Sequence, residues 1–143
     1  MKVYLAGPLF NQSERALNHQ IAQSLRDNGY DVWLPQENFP AAVGSEEEKE
    51  RVFEADLKAL RDCEVVVAVL DGECVDSGTA FEVGYAFALE IPLVGIKTDI
   101  RVFSKCEEVN LMIEQAVKLI KSSHIQELLD DLLKTLGNLS KNI

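Results

Sequence analysis

Residues 64–90 read EVVVAVLDGECVDSGTAFEVGYAFALE, and this stretch decides the fold class. Its first part, Glu64–Leu70, is rich in β-branched residues and almost wholly apolar, which is typical of a parallel strand buried on both faces. The loop Asp71–Asp76 comes next, and Ser77–Glu90 is predicted to be a helix. A buried strand, a loop and a helix in this order are typical of the βα units that build parallel sheets.

The same alternation extends along the rest of the chain. Further strands are predicted at Lys2–Ala6, Asp31–Leu34, Pro92–Ile96 and Val117–Lys121. Further helices are predicted at Ser13–Asn28, from a Ser45 cap to about Arg61, at Glu107–Val117, and after Ser122 and Ser123. Less regular segments are expected at residues 35–45, a polar loop with Pro40 and Gly44, and at Gly137–Ile143, a frayed tail. The sequence therefore predicts one α/β domain over residues 1–143: a five-stranded, mostly parallel sheet with helices on both faces, of the flavodoxin or Rossmann type.

The charge balance excludes several classes of partner. The 143 residues include 24 acidic and 14 basic side chains, giving a formal net charge of -10. Nucleic acid polymers and anionic membranes select surfaces rich in Lys and Arg, so we expect neither as a partner. No apolar run approaches the ~20 residues that cross a bilayer. The apolar start of the chain stops at Gly7-Pro8, too early for a signal peptide, so we expect a cytoplasmic protein.

Metal binding and histidine-based catalysis are not expected. Cys63, Cys74 and Cys106 lack CxxC spacing and are interpreted as free thiols of a reducing compartment. His19 and His124 lie alone and far apart in the sequence, which argues against a metal site or a Ser-His-Asp triad. We therefore expect a protein with no metal and no cofactor.

The functional site is expected at one edge of the sheet. In open parallel sheets a ligand binds beyond the carboxyl ends of the strands. The loops after Ala6, Leu70 and Ile96 should therefore surround a single crevice. The helix predicted at Ser77–Glu90 opens at that crevice, so its first residues are candidates for contact with a ligand.

Glu82 is the first candidate for chemistry. It is the one charged residue between Asp76 and Glu90, and its neighbours one turn away include Gly78 and Tyr85 but no Lys or Arg. One interpretation is an exposed glutamate on a partly buried helix. The other is a nucleophile, because the helix dipole and the small Gly78 would leave the carboxylate ionised and approachable at the crevice.

Asp56 is the second candidate. On its predicted helix the apolar stripe includes Val52, Phe53 and Leu60, and Asp56 lies three or four residues from each, so it is expected to point inward with them. An inward aspartate can cap a loop or pair with a buried cation. Alternatively it is the second carboxylate of a glycosyl-transfer site, in which one carboxylate attacks the anomeric carbon and another group manages the leaving group's proton.

Three further residues carry two interpretations each. Tyr4 is either an ordinary core aromatic or a phenol that hydrogen-bonds a carboxylate or sugar near the end of its strand. Phe10 is either a hydrophobic plug or a wall for a stacked base. Asn110 is either a simple helix cap or a ligand-binding amide.

Taken together, these segments resemble the nucleoside 2-deoxyribosyltransferase family. The resemblance rests on YLAGPLF at 4–10, on Asp56 ahead of EVVVAVLDG at 64–72, on DSGTAFEVGYA at 76–86, and on NLM at 110–112. It covers the chain from its start to about Met112, in the family's order.

The resemblance implies a role for each matched residue. Glu82 matches the nucleophile that forms a covalent deoxyribosyl ester, and Asp56 matches the carboxylate that handles the base and its proton. Asp76 and Asn110 match the pair that holds the sugar hydroxyls. The remaining matches are a phenol near the nucleophile, at Tyr4, and positions lining the nucleobase pocket, at Gly7, Phe10 and Met112.

The resemblance also implies partners. In many family members the matching Asn reaches in from a neighbouring subunit, which predicts a homo-oligomer, a dimer or larger. The expected ligands are nucleosides and nucleobases, and the expected setting is nucleoside salvage. A second base that attacks the covalent ester gives transfer, whereas water gives hydrolysis.

Two other functions stay open on the sequence. A related branch hydrolyses (deoxy)nucleoside 5′-monophosphates, and Ser77 and Thr79 are compatible with a phosphate pocket. The carboxylate of Asp76 would repel a dianionic phosphate and so favours a free 5′-hydroxyl. The second alternative is a non-catalytic nucleotide-binding module, since fold alone does not define function. An inward Asp56 argues against that module, which has less use for two converging acids.

Overall fold

In a computed structural model, residues 1–38 and 44–141 are described. Their strands are β1 (Lys2–Ala6), β2 (Asp31–Trp33), β3 (Val65–Val69), β4 (Leu93–Lys97) and β5 (Lys118–Lys121). Their helices are α1 (Gln12–Asp27), α2 (Pro35–Asn38), α3 (Glu46–Asp62), α4 (Ser77–Ala88), α5 (Leu111–Ala116) and α6 (Ile125–Ser140). No helix among these residues is long and apolar enough to cross a membrane.

The strands form one sheet in the order β2-β1-β3-β4-β5, and each neighbouring pair is parallel. The helices α1 and α6 pack on one face, while α3, α4 and α5 pack on the other. This confirms the predicted five-stranded α/β sheet with helices on both faces. The strand order reverses direction between β1 and β3, and a flavodoxin-like sheet places its ligand crevice at this switch point.

Alternation along β1 divides its side chains between the two halves of the core. Val3 and Leu5 join the cluster formed with α1 and α6, whereas Tyr4 and Ala6 face α3 and α4. The central strand β3 is buried along its full length, as its apolar sequence predicts. Tyr4 therefore points to the same side of the sheet as the helices that carry Asp56 and Glu82.

Side-chain caps fix where the site helices begin. Ser45 caps α3 in a reciprocal capping box with Glu48, so the predicted Ser45 start is confirmed. Asp76 caps α4, where its side chain accepts a hydrogen bond from the backbone of Thr79. Asn110 caps α5 in the same way, through Met112.

Three segments differ from the sequence prediction. Residues 35–38 form the short helix α2 instead of a loop, since Pro35 is favourable in a first helical turn. The fifth helix begins at Leu111, not at residue 107, because Asn110 caps it there. The last helix continues to Ser140, where a frayed tail was expected, because Leu139 packs against the core. Residues 39–43, including Pro40, and the last two tail residues, 142–143, lie outside the described residues.

Gly95 in β4 gives a test of this packing. A Cβ at position 95 would lie 2.6 Å from Leu70 Cδ1 and 2.7 Å from Val117 Cγ2. Gly95→Ala should therefore lower the free energy of unfolding by about 1–3 kcal/mol through overpacking, measured by urea denaturation. The matched control is Gly137→Ala in α6, where a Cβ meets no atom of another element within 4 Å among the described residues. That variant should gain about 0.5–1 kcal/mol, and equal effects at both positions would contradict the packing.

Candidate active site

The site is built around a hydrogen bond between Tyr4 and Glu82. Tyr4 is fully buried, with 0% of its surface exposed, and its hydroxyl donates to Glu82 Oε1 over 2.5 Å. Burial raises the pKa of Tyr4 far above its ordinary value of 10.0, and the negative charges of Glu82 and Asp56 raise it further. The phenol therefore stays protonated and always acts as a donor.

Glu82 has a strongly altered affinity for protons. Burial raises its pKa from 4.5 to about 7, and the charges of Asp56 and Asp76 act in the same direction. The hydrogen bond from Tyr4 opposes this shift because it stabilises the ionised carboxylate. Glu82 is thus a partly buried acid with a phenolic donor, which contradicts its interpretation as an ordinary exposed glutamate. Its raised pKa also goes against the expectation that the helix dipole and Gly78 would leave it fully ionised.

Asp56 faces Glu82 across a cleft between α3 and α4. The cleft has a volume of about 430 Å³ and is lined by Asp56, Glu82 and Gly78 together with mostly apolar side chains. Asp56 Oδ1 accepts a hydrogen bond from the indole Nε1–H of Trp33 over 3.0 Å. The partner of Asp56 is therefore an indole. Pairing with a buried cation, which was one interpretation of its sequence position, is not what the structure has. Burial raises the pKa of Asp56, and the Trp33 hydrogen bond opposes that rise.

Asp76 lines a second cleft and lies beside Gly78, which lines the first. Its Oδ2 accepts hydrogen bonds from the backbone N–H of Thr79 at 3.0 Å and from the Thr79 hydroxyl at 3.3 Å. The second cleft, of about 580 Å³, is lined by residues from the loops that follow β1, β3 and β4, including Phe10 and Asp76. These are the loops that the sequence predicted around one crevice.

The second cleft is predominantly acidic. Its lining includes Glu14, Asp71, Asp76 and Asp99, and its cation is Arg101. Arg101 already pairs with Asp99, which also accepts a hydrogen bond from the buried Nζ of Lys97 at 2.8 Å. An anionic ligand here would meet excess negative charge.

Gly7 and Phe10 lie at the loop after β1. A Cβ on Gly7 would come within 3.0 Å of Asn18 Oδ1 and 3.1 Å of Val69 Cβ, so a larger residue would push the loop away from β3. Phe10 is 73% exposed on the rim of the acidic cleft. It is available to a ligand there but does not line the cleft between the two carboxylates.

Asn110 and Met112 lie apart from the two carboxylates within one chain. Asn110 is exposed and uses its side chain to cap α5, and Met112 is 79% exposed. Met112 lines an apolar recess of about 620 Å³ between α4 and α5, together with Phe87 and Gly84. Their predicted role in substrate binding stays a prediction.

Sequence reasoning missed three aromatic residues of the carboxylate site. Phe53 and Phe81 line the cleft, with ring centroids 6.3 Å apart, and Trp33 binds Asp56. Phe81 directly precedes Glu82, and Phe53 lies one helical turn before Asp56. Both positions could therefore have been predicted to lie near the candidate carboxylates. Among residues 1–38 and 44–141, no group of three or more His, Cys, Asp or Glu side chains is arranged to hold a metal ion.

Fold and site define a flavodoxin-like α/β protein with paired carboxylates above the switch point of its sheet. The chain belongs to the nucleoside 2-deoxyribosyltransferase family, whose model matches residues 3–127. The resemblance stated from the sequence is therefore confirmed, and the protein belongs to a family of enzymes that act on nucleosides. No curated protein matches the sequence significantly.

Solved structures give the same classification. A 2-deoxyribosyltransferase from Bacillus psychrosaccharolyticus is 28% identical, with a TM-score of 0.75 and 90% of each chain covered. A 2-deoxyribosyltransferase from Leishmania mexicana is 21% identical, with a TM-score of 0.69, covering 93% of this chain and 97% of that one. A CMP N-glycosidase from Clostridium botulinum is 18% identical, with a TM-score of 0.65, covering 92% and 98%. At these identities the last two show a shared fold.

The buried carboxylate of Glu82 makes stability depend on pH. Because its pKa is about 7 in the folded protein and near 4.5 when unfolded, the folded state holds an extra proton between these values. The free energy of unfolding contributed by this group therefore falls as pH rises through that window. Glu82→Gln keeps an acceptor for Tyr4 and removes the charge, so it should stabilise the protein by about 3 kcal/mol at pH 8 and by much less at pH 4.5.

The measurement is urea denaturation of both proteins across pH 4.5–8, the window given by the Glu82 pKa. Glu54→Gln, at an exposed position of α3, is the matched control and should show no such pH-dependent gain. A stability difference between Glu82→Gln and wild type that does not grow with pH would show that Glu82 is not a destabilising buried anion.

Proposed function

We propose that this protein is a nucleoside 2-deoxyribosyltransferase. It cleaves the N-glycosidic bond of a 2′-deoxynucleoside, holds the sugar as an ester of Glu82, and passes it to another nucleobase. The observation that carries this proposal is the Tyr4–Glu82 hydrogen bond in a cleft that Asp56 also lines. One carboxylate with a dedicated donor and a second across the cleft meet the two requirements of retaining glycosyl chemistry.

Glu82 is the nucleophile in this reaction. The Tyr4 hydroxyl occupies Oε1, which leaves Oε2 to attack the anomeric carbon. Attack by a carboxylate divides one substitution at the anomeric carbon into two easier steps. Burial supports this role, because a carboxylate with little hydration loses little solvation when it forms a neutral ester.

Asp56 manages the proton of the base. Burial raises its pKa, which favours the protonated form that a general acid requires. In the first step Asp56 protonates the departing base, and in the second step it accepts a proton from the incoming base. Water in place of that base gives hydrolysis, so a share of N-glycoside hydrolysis is expected.

Asp76 and the residues of α5 complete the site. Asp76 binds a sugar hydroxyl, and its contribution to the raised Glu82 pKa supports a position beside the nucleophile. Asn110 joins it from a neighbouring subunit. Gly7 and Phe10, in the loop after β1, border the base from the side of the acidic cleft, and Met112 borders it from the surface between α4 and α5. The exposed apolar surface that includes Phe87 supports a homo-oligomer, a dimer or larger.

The charges favour a nucleoside over a nucleotide. Asp76 already occupies the N-terminus of α4, the place where a helix would otherwise bind phosphate, and the adjoining cleft is acidic. The alternative, a (deoxy)nucleoside 5′-monophosphate N-glycosidase, is supported by Arg101 in that cleft and by the shared fold of the CMP N-glycosidase. Exchange of bases between preformed nucleosides suits nucleoside salvage in the cytoplasm.

The proposed activity predicts base exchange that depends on Glu82. With deoxyinosine and adenine, the wild-type protein should form deoxyadenosine and hypoxanthine, followed by liquid chromatography. Glu82→Ala should abolish exchange, because the ester can no longer form, while its circular dichroism spectrum stays that of the wild type. A covalent adduct on Glu82, detected by mass spectrometry after acid quenching, would identify the intermediate.

A parallel incubation with a deoxynucleoside 5′-monophosphate tests the alternative. Release of base from the monophosphate alone would favour the N-glycosidase, and no reaction with either substrate would contradict both enzyme functions. Near-normal exchange by Glu82→Ala would remove Glu82 from the nucleophile's role. Glu54→Ala, at an exposed position of α3, serves as the control for an unrelated carboxylate and should exchange bases normally.

Association through the α4–α5 surface is tested at Gly84. A Cβ at this position meets no atom of another element within 4 Å in the described part of the chain, so Gly84→Arg should fold but place a charge in the apolar surface. We expect it to be smaller than the wild type by light scattering and to lose base exchange, since Asn110 no longer reaches a neighbouring site. Gly137→Arg, at an equally open position, should keep the wild-type mass. An unchanged mass for Gly84→Arg would exclude this surface as the interface.

A further inference from the structure

Strand register brings two aromatic donors to the site. In the parallel pair β1–β2, Tyr4 lies opposite Trp33. Residues in register on neighbouring strands point to the same face of a sheet. Tyr4 therefore reaches Glu82 on α4, and Trp33 reaches Asp56 on α3.

We propose that Trp33 is a positioning residue for Asp56: by binding Oδ1 it keeps the acidic proton on Oδ2, aimed at the base. This inference rests on the proposed function, because it assigns a role within the same reaction. It explains why an indole, the chain's one Trp, ends the edge strand β2 beside a carboxylate.

The chemistry of the indole makes the arrangement directional. Indole Nε1–H is a donor and has no acceptor capacity, so it pairs with the carbonyl-type oxygen of a protonated carboxyl group. That leaves the hydroxyl proton on Oδ2. Among residues 1–38 and 44–141, the side chain that forms a hydrogen bond with the Asp56 carboxyl group is that of Trp33. Oδ2 is thus available to a base in the cleft.

Trp33 is itself held in place. It is partly buried and packs against the core cluster that contains Tyr4 and Leu57. Its backbone pairs with β1 at the end of the strand ladder. Trp33 does not line the cleft between the two carboxylates. It therefore restricts the carboxyl group of Asp56 from outside that cleft, as a positioning residue does and a catalytic residue does not.

Transfer of the sugar to Glu82 moves one electron pair onto the base and one proton from Asp56 to it. Glu82 Oε2 supplies the electron pair of the new C1′–O bond, and the pair of the breaking C1′–N bond goes to the base. The Oδ2 proton of Asp56 passes to a ring nitrogen of that base, which leaves neutral. Asp56 is then a carboxylate, and the Trp33 N–H stabilises its charge until the incoming base returns a proton to Oδ2.

The contact is first tested without reference to activity. Because the chain has one Trp, its indole gives a single ¹⁵N–¹H signal in NMR spectra. We expect this signal to shift as Asp56 titrates, and the titration to change when Asp56→Asn removes the ionisable group. Glu82, Tyr4 and Lys49 also face Asp56, so Glu82→Gln is measured in parallel to separate the neighbouring titration. An indole signal that does not respond to Asp56→Asn overturns the contact.

The role is tested with Trp33→Phe, which keeps an aromatic ring and removes the N–H. We expect kcat/KM for deoxyinosine to fall roughly ten- to hundredfold, the loss typical of a hydrogen bond to a charged group. A deoxyribosyl donor whose leaving group departs as a stable anion, such as 4-nitrophenolate, needs no proton and should react at nearly the wild-type rate. The alkaline limb of the deoxyinosine profile should move to higher pH, because the Trp33 hydrogen bond lowers the Asp56 pKa.

A second replacement of Trp33 distinguishes loss of the N–H from misfolding of Trp33→Phe. Biosynthetic replacement of the sole Trp by benzothienylalanine preserves the shape of the ring system and lacks the N–H. It should reproduce the kinetics of Trp33→Phe. Equal losses on both donors with an unshifted pH profile would show a merely structural role and overturn the inference. Wild-type rates in both variants would also overturn it while the proposed function stands. Failure of the wild type to exchange bases would overturn the proposed function itself, whatever the indole signal shows.

Discussion

The site depends on one energetically unfavourable feature, the burial of the Glu82 carboxylate near two other acidic side chains. Burial opposes its ionisation, and so do the charges of Asp76 and, whenever it is ionised, of Asp56. The hydrogen bond from the Tyr4 hydroxyl acts in the opposite direction. Because burial keeps the phenol protonated, the donor does not titrate away as the pH rises. Much of the surrounding architecture, including the register of β1 and the start of α4, serves to keep this pair together.

The sheet determines the chemistry through its register. Tyr4 and Trp33 face the carboxylates only because β1 and β2 pair with these residues opposite each other. A slip of one residue would turn an entire set of side chains to the opposite face, towards α1 and α6. The apolar alternation of Val3 and Leu5 on that opposite face therefore protects the site indirectly, since it penalises such a slip.

The fold could be predicted from short local signals, whereas the contacts within the site could not. The largely apolar stretch Glu64–Leu70 was sufficient to predict β3, and the Ser45 cap to predict the start of α3. Helical spacing alone predicted that Asp56 points inward. The hydrogen bond between Trp33 and Asp56 joins residues from β2 and α3, so it depends on tertiary packing that no local pattern encodes. The end of α6 was missed for a similar reason, because a distant core stabilises Leu139.

The burial of Glu82 has a consequence for the lifetime of the proposed intermediate. In the ionised form that a nucleophile requires, Glu82 is an anion in a site that favours a neutral group. Esterification by the sugar removes that charge, so loading the enzyme relieves a penalty that unloading must restore. In the proposed reaction, this relief stabilises the ester relative to the ionised free enzyme and so prolongs its lifetime until an acceptor binds. An enzyme that exchanges bases through two separate encounters needs an intermediate that lasts until the second base has bound.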